Sequence, residues 1–527
     1  MKLRNPFILL AGAALGSSFA SRLDMAIITG ITAFMKPIRA WAAAEIAEGD
    51  LDRWHALLGL DGMSMDEELD PNLHHLTPKH LATRYFGDRA LLRRAQRVAS
   101  RATLRRLVWE STLFSPAADA ASRAPAWVDP DWAKDLQALE KARRQTQRAL
   151  HGLKPLFLPY ANAPFLAVGA PPASLAAAEK ALAGVKHRPR LDLTCITPGL
   201  ERSLAIPLAE TVTYWLRWQA DSKVTAGARI TESVPTENEV EKEVARDIAR
   251  GDIARGDIAR AEDDMEDTRD IGYARVIEPA NAPPGLPAIV ICHGLGVEYE
   301  TSGPPIAFAR SLARRGLRIV MPEAPGHGRR RRKGLYGGEA FLRGQPVSGI
   351  RHLLQASAEA VAMIAWCRAA GSPKVALAGS SLGAMTAQLA AARVIESDLE
   401  IARPDHLLLV TPTGNLADLA FTSSLAVAAG LDRMVQDAGW TPELFQRWST
   451  LVEPPEEPPI DPAAISMVLG TTDTVTPYED GLALAQRWQV PDNNLVIAGR
   501  GHFTSSIAMT LPGSALDKLA RALAAIE

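Results

Sequence analysis

A serine hydroxyl is a weak nucleophile at neutral pH. To attack a carbonyl it needs a general base within hydrogen-bond reach, and that base needs an orienting acid. The segment VALAGSSLGA, Val375 to Ala384, runs from an apolar stretch into a G-x-S-x-G pattern and then into the helix-forming AMTAQLAAARVI. Strand, tight turn and helix in that order project the central residue, Ser381, from the end of the strand. Gly379 and Gly383 flank it because a side chain at either position would collide with the neighbouring strand or helix. Ser380 occupies the variable place of the pattern, so Ser381 is the candidate nucleophile. Taken alone, five residues of this kind also describe an ordinary Gly/Ser turn.

The partners are sought after later strands, in the order serine, acid, histidine. The apolar run ISMVL is followed by GTTDTVTP, which puts Asp473 just past a strand end. NLVIAG is followed by Arg500-Gly501-His502-Phe503, which puts His502 between the last strand and the last helix. Ser381, His502 and Asp473 are therefore the candidate catalytic set. Glu479 and Asp480 lie further on, where a helix is expected to begin. Asp418, after the earlier strand HLLLV, is the next candidate for the acid. A tetrahedral intermediate also needs two placed N–H donors. Leu382, directly after the nucleophile, supplies one. The loop His293-Gly294-Leu295-Gly296 supplies the other, through Leu295 or, alternatively, Gly294.

Other reactive side chains give weaker signals. Arg329, Arg330, Arg331, Arg332 and Lys333 form a run of cations at the same sheet edge. It reads either as a lure for an anionic substrate or headgroup, or as a solvated basic loop. His74, His75 and His80 have no acid or cysteine at metal-site spacing, and no metal or other cofactor is expected. Cys195, Cys292 and Cys367 lack ligand spacing and suggest buried thiols rather than a disulfide framework. A net charge of −2 gives no global case for nucleic acid as a partner.

Elements must hold these residues in place. After about residue 270, continuous apolar runs alternate with helical patterns. AIVIC, LRIVM, KVALAG, HLLLV, ISMVL and NLVIAG are separated by segments such as HLLQASAEAVAMIAWCRAAG. This predicts an α/β fold, with a mostly parallel sheet covered by helices on both faces. The long interval from about 414 to 462 predicts a helical cap inserted over the carboxyl edge of the sheet.

The first half is organised differently. Residues 1–35 are apolar, with Lys2 and Arg4 at the start and Ser18-Phe19-Ala20 at signal-cleavage spacing. A signal peptide, a membrane-associated helix and a buried helix all fit. Neither apolar stretch reaches the ~18–20 residues that span a bilayer. A cytoplasmic or membrane-associated location is favoured over export. Residues 36–185 carry helical spacing. Arg89, Arg93, Arg94, Arg97, Arg101, Arg105 and Arg106 crowd one helix, which reads as a membrane-surface helix or as a solvated face. Residues 186–230 contain the strand-like LDLTCI and VTYWLRW, candidates to start the sheet. Residues 231–270 form a charged linker in which GDIAR recurs at Gly251 and Gly256. A five-residue period keeps no face apolar in a helix or a strand.

Residues from about 270 to 527 resemble the α/β-hydrolase superfamily through HGLG, PEAPGHG, GSSLG, GTTDTVTP and RGHF. That family usually has Asp where this chain has Glu323. The resemblance implies a serine hydrolase working through an acyl-enzyme, with a small-molecule or lipid carboxylic ester as substrate. The fold hosts many chemistries. A prolyl-oligopeptidase-type peptidase is one alternative, although its usual β-propeller repeat is missing here. An acyltransferase using the same triad is another, and a non-catalytic scaffold of the same fold is a third.

Overall fold

The computed structural model describes residues 17–58, 78–114, 130–160, 174–182, 187–193, 200–220, 271–297, 303–332, 334–342 and 345–525. The GDIAR tract, His74, His75, Lys333 and Cys195 lie outside them, as does the side chain of His80.

The amino-terminal helices are α1 (Ser17–Ile46), α2 (Leu51–Leu57), α3 (Pro78–Leu113), α4 (Pro130–His151) and α5 (Leu175–Leu182). Trp41, Trp54, Leu92 and Phe157 form an apolar cluster that joins α1, α2 and α3 to the turn after α4. Helix α1 crosses the boundary expected near residue 35. Asp24, Ile28 and Met35 are buried along it, while Met25 is exposed. Of the 1–35 segment, residues 1–16 lie outside the described residues, and the rest belongs to this helix, which packs on the rest of the fold. No helix among the described residues is long and apolar enough to cross a membrane. On α3, Arg89, Arg93, Arg94, Arg97, Arg101 and Arg105 are exposed, and Arg106 pairs with Glu110 one turn on at 2.9 Å.

Among the described residues, ten strands form one sheet. They are β1 (Glu201–Arg202), β2 (Ile206–Leu208), β3 (Thr211–Gln219), β4 (Ile271–Pro279), β5 (Ala288–Cys292), β6 (Arg318–Pro322), β7 (Val375–Ser380), β8 (His406–Val410), β9 (Ile465–Gly470) and β10 (Leu495–Ala498). Their order is β1-β3-β4-β6-β5-β7-β8-β9-β10, with β2 beside β3. From β6 to β10 every pairing is parallel. The β3–β4 and β4–β6 pairings are antiparallel. The sheet thus begins well before residue 271, and the expected linker lies between two paired strands rather than ahead of the domain.

Strands β5, β6 and β7 are buried along their whole length, which follows from helices covering both faces. On one face, Val290 and Leu377 meet α8 (Val347–Ala369) and α9 (Leu382–Glu396), introduced here with the preceding α6 (Gly303–Ala313) and α7 (Glu339–Leu342). On the other face, Ile289 and Ile319 meet α6. Between β8 and β9 lie four short helices, α10 (Leu416–Phe421), α11 (Ser424–Ala429), α12 (Leu431–Asp437) and α13 (Pro442–Ser449). This is the helical insertion expected at about 414–462. Helices α14 (Tyr478–Arg487), α15 (His502–Ala508) and α16 (Ala515–Ala524) complete the chain.

The amino-terminal helices cover the other side of β3. Tyr214, Leu216 and Trp218 face the main core, while Trp215 points the opposite way, as alternation along a strand requires. Trp109 of α3 meets Trp215 edge-on, with ring centroids 4.7 Å apart. Such aromatic pairs add about 0.5–1.5 kcal/mol beyond the area they bury.

Candidate active site

Ser381 sits between β7 and α9 with φ 57° and ψ −124°, a conformation that few non-glycine residues adopt. The strain is held by close packing. A Cβ on Gly379 would lie 2.0 Å from the carbonyl oxygen of Gly383, and one on Gly383 would lie 2.2 Å from that of Cys292. Neither position can carry a side chain without opening the turn. Ser380 is engaged elsewhere, with its Oγ 2.9 Å from Ser506 Oγ.

The carboxyl ends of β9 and β10 bring the other two residues to Ser381. His502 Nε2 lies 2.9 Å from Ser381 Oγ, and His502 Nδ1 lies 2.9 Å from Asp473 Oδ2. Asp473 and His502 are both buried. The turn after β9 holds the carboxylate firmly. Val475 N–H and Thr476 N–H donate to Asp473 Oδ1 at 2.9 and 3.0 Å, and Thr476 Oγ1 donates to Oδ2 at 3.0 Å. With Nδ1–H directed at the carboxylate, Nε2 is left bare towards Ser381, which is the tautomer a general base needs. Asp418 bonds Asn415 Nδ2 at 2.7 Å, and Asp480 faces Asp418 and Thr413. Burial and the neighbouring Asp418 carboxylate raise Asp480 to about 6. Neither of these acids bonds His502.

The loop after β5 approaches the serine closely. A Cβ built on Gly294 would meet Ser381 Cβ at 3.4 Å. Gly296 N–H donates to His327 Nε2 at 3.2 Å, so Gly294 and Leu295 are the turn N–H groups left to consider as donors. Leu382 N–H opens α9, where the first amides have no acceptor within the helix.

Two histidines that the sequence reading left without a role support this loop. His293 Nδ1–H donates to Gly294 O at 2.9 Å, while its Nε2 accepts from Ala324 N–H at 3.0 Å. His327 Nδ1–H donates to Pro325 O at 3.0 Å. Both rings must be neutral to make these bonds. Burial lowers His293 from its ordinary 6.5 to about 4, and lowers His327 well below its ordinary value. The folded-state value is the depressed one, so stability is fully present above pH 6.5. As pH falls towards 4, the unfolded imidazole takes up a proton that the folded one refuses. Across that window His293 alone accounts for a loss of about 3 kcal/mol. We predict that the urea midpoint falls from pH 7 to pH 4.5, and falls less in His293→Asn, whose amide can keep the bond to Gly294 O and takes up no proton in this range. Equal falls in the two proteins would rule out His293 as the cause.

Three cations of the run, Arg329, Arg330 and Arg331, are held in ion pairs within the fold rather than offered to substrate or solvent. Arg329 Nη1 pairs with Glu323 at 3.1 Å and its guanidinium lies 4.6 Å from the Trp109 ring centre. Arg330 pairs with Glu359 through Nη1 at 2.5 Å and Nη2 at 2.9 Å. Arg331 Nη1 reaches Glu45 of α1 at 2.6 Å. Arg329 and Arg330 are buried, and Arg332 is exposed. Arg329 and Arg331 therefore fasten the amino-terminal helices to the sheet, and Arg330 fastens the same loop to α8. Glu323, which stands where Asp was expected, has the reach to accept from Arg329 N–H at 2.7 Å while pairing its guanidinium. Cys292 and Cys367 are buried free thiols, both pushed up to about 12 by burial.

Residues 289–510 match the family model described as the alpha/beta hydrolase family, in keeping with the α/β fold and its strand order. No curated protein matches the chain. Among solved structures it is similar to brefeldin A esterase, a bacterial homologue of human hormone-sensitive lipase. They share 18% identity over 48% of this chain and 72% of that one, with a TM-score of 0.34. An esterase from Pyrobaculum calidifontis shares 19% identity over 49% and 81%, with a TM-score of 0.31. An acetyl xylan esterase from Paenibacillus sp. R4 shares 13% over 61% and 87%, with a TM-score of 0.37. The fold assignment rests on the strand order and the family match.

Proposed function

We propose that the protein is a serine-dependent hydrolase of carboxylic esters. The observation that carries this reading is the hydrogen-bonded line Ser381–His502–Asp473 beside the Gly294–Leu295 turn. As Ser381 Oγ attacks the ester carbonyl, His502 Nε2 takes its proton, and Asp473 stabilises the imidazolium that forms. Leu382 N–H and Leu295 N–H, with Gly294 N–H as the alternative, stabilise the oxyanion. Collapse breaks the C–O bond, and the leaving alcohol carries off the proton from His502. Water, deprotonated by the same imidazole, then attacks the acyl-enzyme and releases the acid. The chemistry calls on no metal or cofactor.

The surroundings favour a hydrocarbon acyl group. An apolar cavity between α8 and the helical insertion is lined by Phe341, Leu353, Leu416, Leu419, Met434 and Phe445, among others. Leu382 and Leu295 pack into the same apolar cluster as Leu353, Leu416 and Phe445. A small-molecule or lipid ester with an aliphatic acyl chain suits such a lining, which offers few groups to orient a peptide or a sugar.

The test is the initial rate on p-nitrophenyl esters of increasing acyl length. Wild-type protein is expected to hydrolyse them, with chains that reach the cavity preferred over acetate. Ser381→Ala should reduce the rate by at least ~10⁴-fold. A folded wild-type chain without hydrolysis would support the scaffold alternative instead.

A further inference from the structure

The turn that delivers His502 is built with an omission. Helix α15 begins at His502, and the residue before it, Gly501, has no side chain with which to cap the first amides. A Ser, Thr, Asp or Asn there would normally accept from the second or third amide of the helix. In this chain the acceptor comes from the far end of the sequence. The Asp24 carboxylate of α1 accepts Phe503 N–H through Oδ2 at 3.0 Å and Thr504 N–H through Oδ1 at 3.1 Å.

Three further observations show that the pair is built in. Asp24 is only 5% exposed, an unusual place for a carboxylate. A Cβ on Gly501 would lie 2.3 Å from Asp24 Oδ2, so the missing side chain at 501 is what gives Asp24 its room. Helix α1 packs against both α15 and α11 of the helical insertion. The other side of the turn is held by Gly501 N–H donating to Thr504 Oγ1 at 2.9 Å.

We propose that Asp24 is a positioning residue for His502, and that α1 is thereby a working part of the hydrolase machinery rather than an appended segment. The inference rests on the Ser381–His502–Asp473 reading given above. Phe503 and Thr504 directly follow His502, so fixing their amides fixes the backbone from which the imidazole projects. A small displacement of the base from Ser381 lowers the rate of proton transfer more than it lowers substrate affinity.

The experiment compares full-length wild type, Asp24→Ala and Asp24→Asn on one p-nitrophenyl ester, with kcat expressed per site titrated by a fluorophosphonate. Asp24→Ala is expected to lower kcat roughly tenfold or more with KM nearly unchanged. Asp24→Asn keeps the shape and one carbonyl acceptor, and is expected to recover part of the loss. An unchanged kcat per titrated site in both variants, even with a lower melting temperature, would make Asp24 merely structural and overturn the proposal. Should Asp24→Ala not fold, Asp24→Asn decides, since wild-type kcat in a folded Asn variant would overturn it equally. A wild type that neither titrates nor turns over would remove the underlying hydrolase reading and this inference with it. An active wild type with indifferent Asp24 variants would remove only the inference.

Discussion

Asp473→Asn should lower kcat by about 10⁴-fold while leaving the fold intact. The size follows from the way the carboxylate is held. Val475 and Thr476 N–H groups both donate to Oδ1, so an asparagine must keep its carbonyl oxygen there. Its NH₂ then faces His502 Nδ1, which can no longer donate in that direction. The imidazole is driven to the other tautomer, with the proton on Nε2 pointing at Ser381 and no lone pair left to receive one. The imidazolium also loses its counter-charge during attack. The variant should keep its melting temperature within a few degrees, because the turn amides remain satisfied. Steady-state kinetics at saturating ester would check this, and a fall of less than tenfold would mean that another group orients the base.

The largest effect on stability is expected from Arg330→Ala. Its guanidinium makes two bonds to Glu359 and one to the carbonyl oxygen of Glu323, with the arginine side chain wholly buried. Removing it leaves the buried Glu359 carboxylate with Gln355 Nε2 at 3.2 Å but without the Arg330 counter-charge, and breaking a buried pair in this way typically costs about 3–5 kcal/mol. Replacing both members by apolar residues, Arg330→Met with Glu359→Leu, removes the stranded charge and should recover most of the loss. Urea unfolding of the single and double variants provides the measurement. If the single variant is as stable as wild type, water or another cation reaches Glu359 and the ion pair is not what secures the loop.

Both variants bear on how much could be read from the chain. The strands were legible because AIVIC, KVALAG and HLLLV are continuous apolar runs, a pattern that parallel strands covered on both faces impose. The placement of Ser381, Asp473 and His502 at neighbouring strand ends was legible because each follows its own apolar run and because G-x-S-x-G forces a particular backbone. The arginine run was not legible. Its partners, Glu323, Glu359, Glu45 and Trp109, are spread over the chain, and charge density alone describes a solvated loop as well as a buried network. Asp24 was hidden for a similar reason, since it caps a helix nearly the whole chain away and the usual local capping signal is replaced by glycine. Thr476 left a faint trace in Asp-x-x-Thr, where an Asp followed by nearby amides often bonds its own turn. VTYWLRW was legible as a strand at the start of the sheet, but its pairing with β4 was not, because the long charged tract between them resembles a boundary between domains.

The central claim is that Ser381 is the nucleophile. Its most direct test is to react the folded, full-length protein with a fluorophosphonate and map the adduct by peptide mass spectrometry. The predicted result is one adduct per chain, on Ser381 and not on Ser380, with none formed in Ser381→Ala. An adduct on any other residue, or a folded wild-type protein that stays unmodified, would contradict the account.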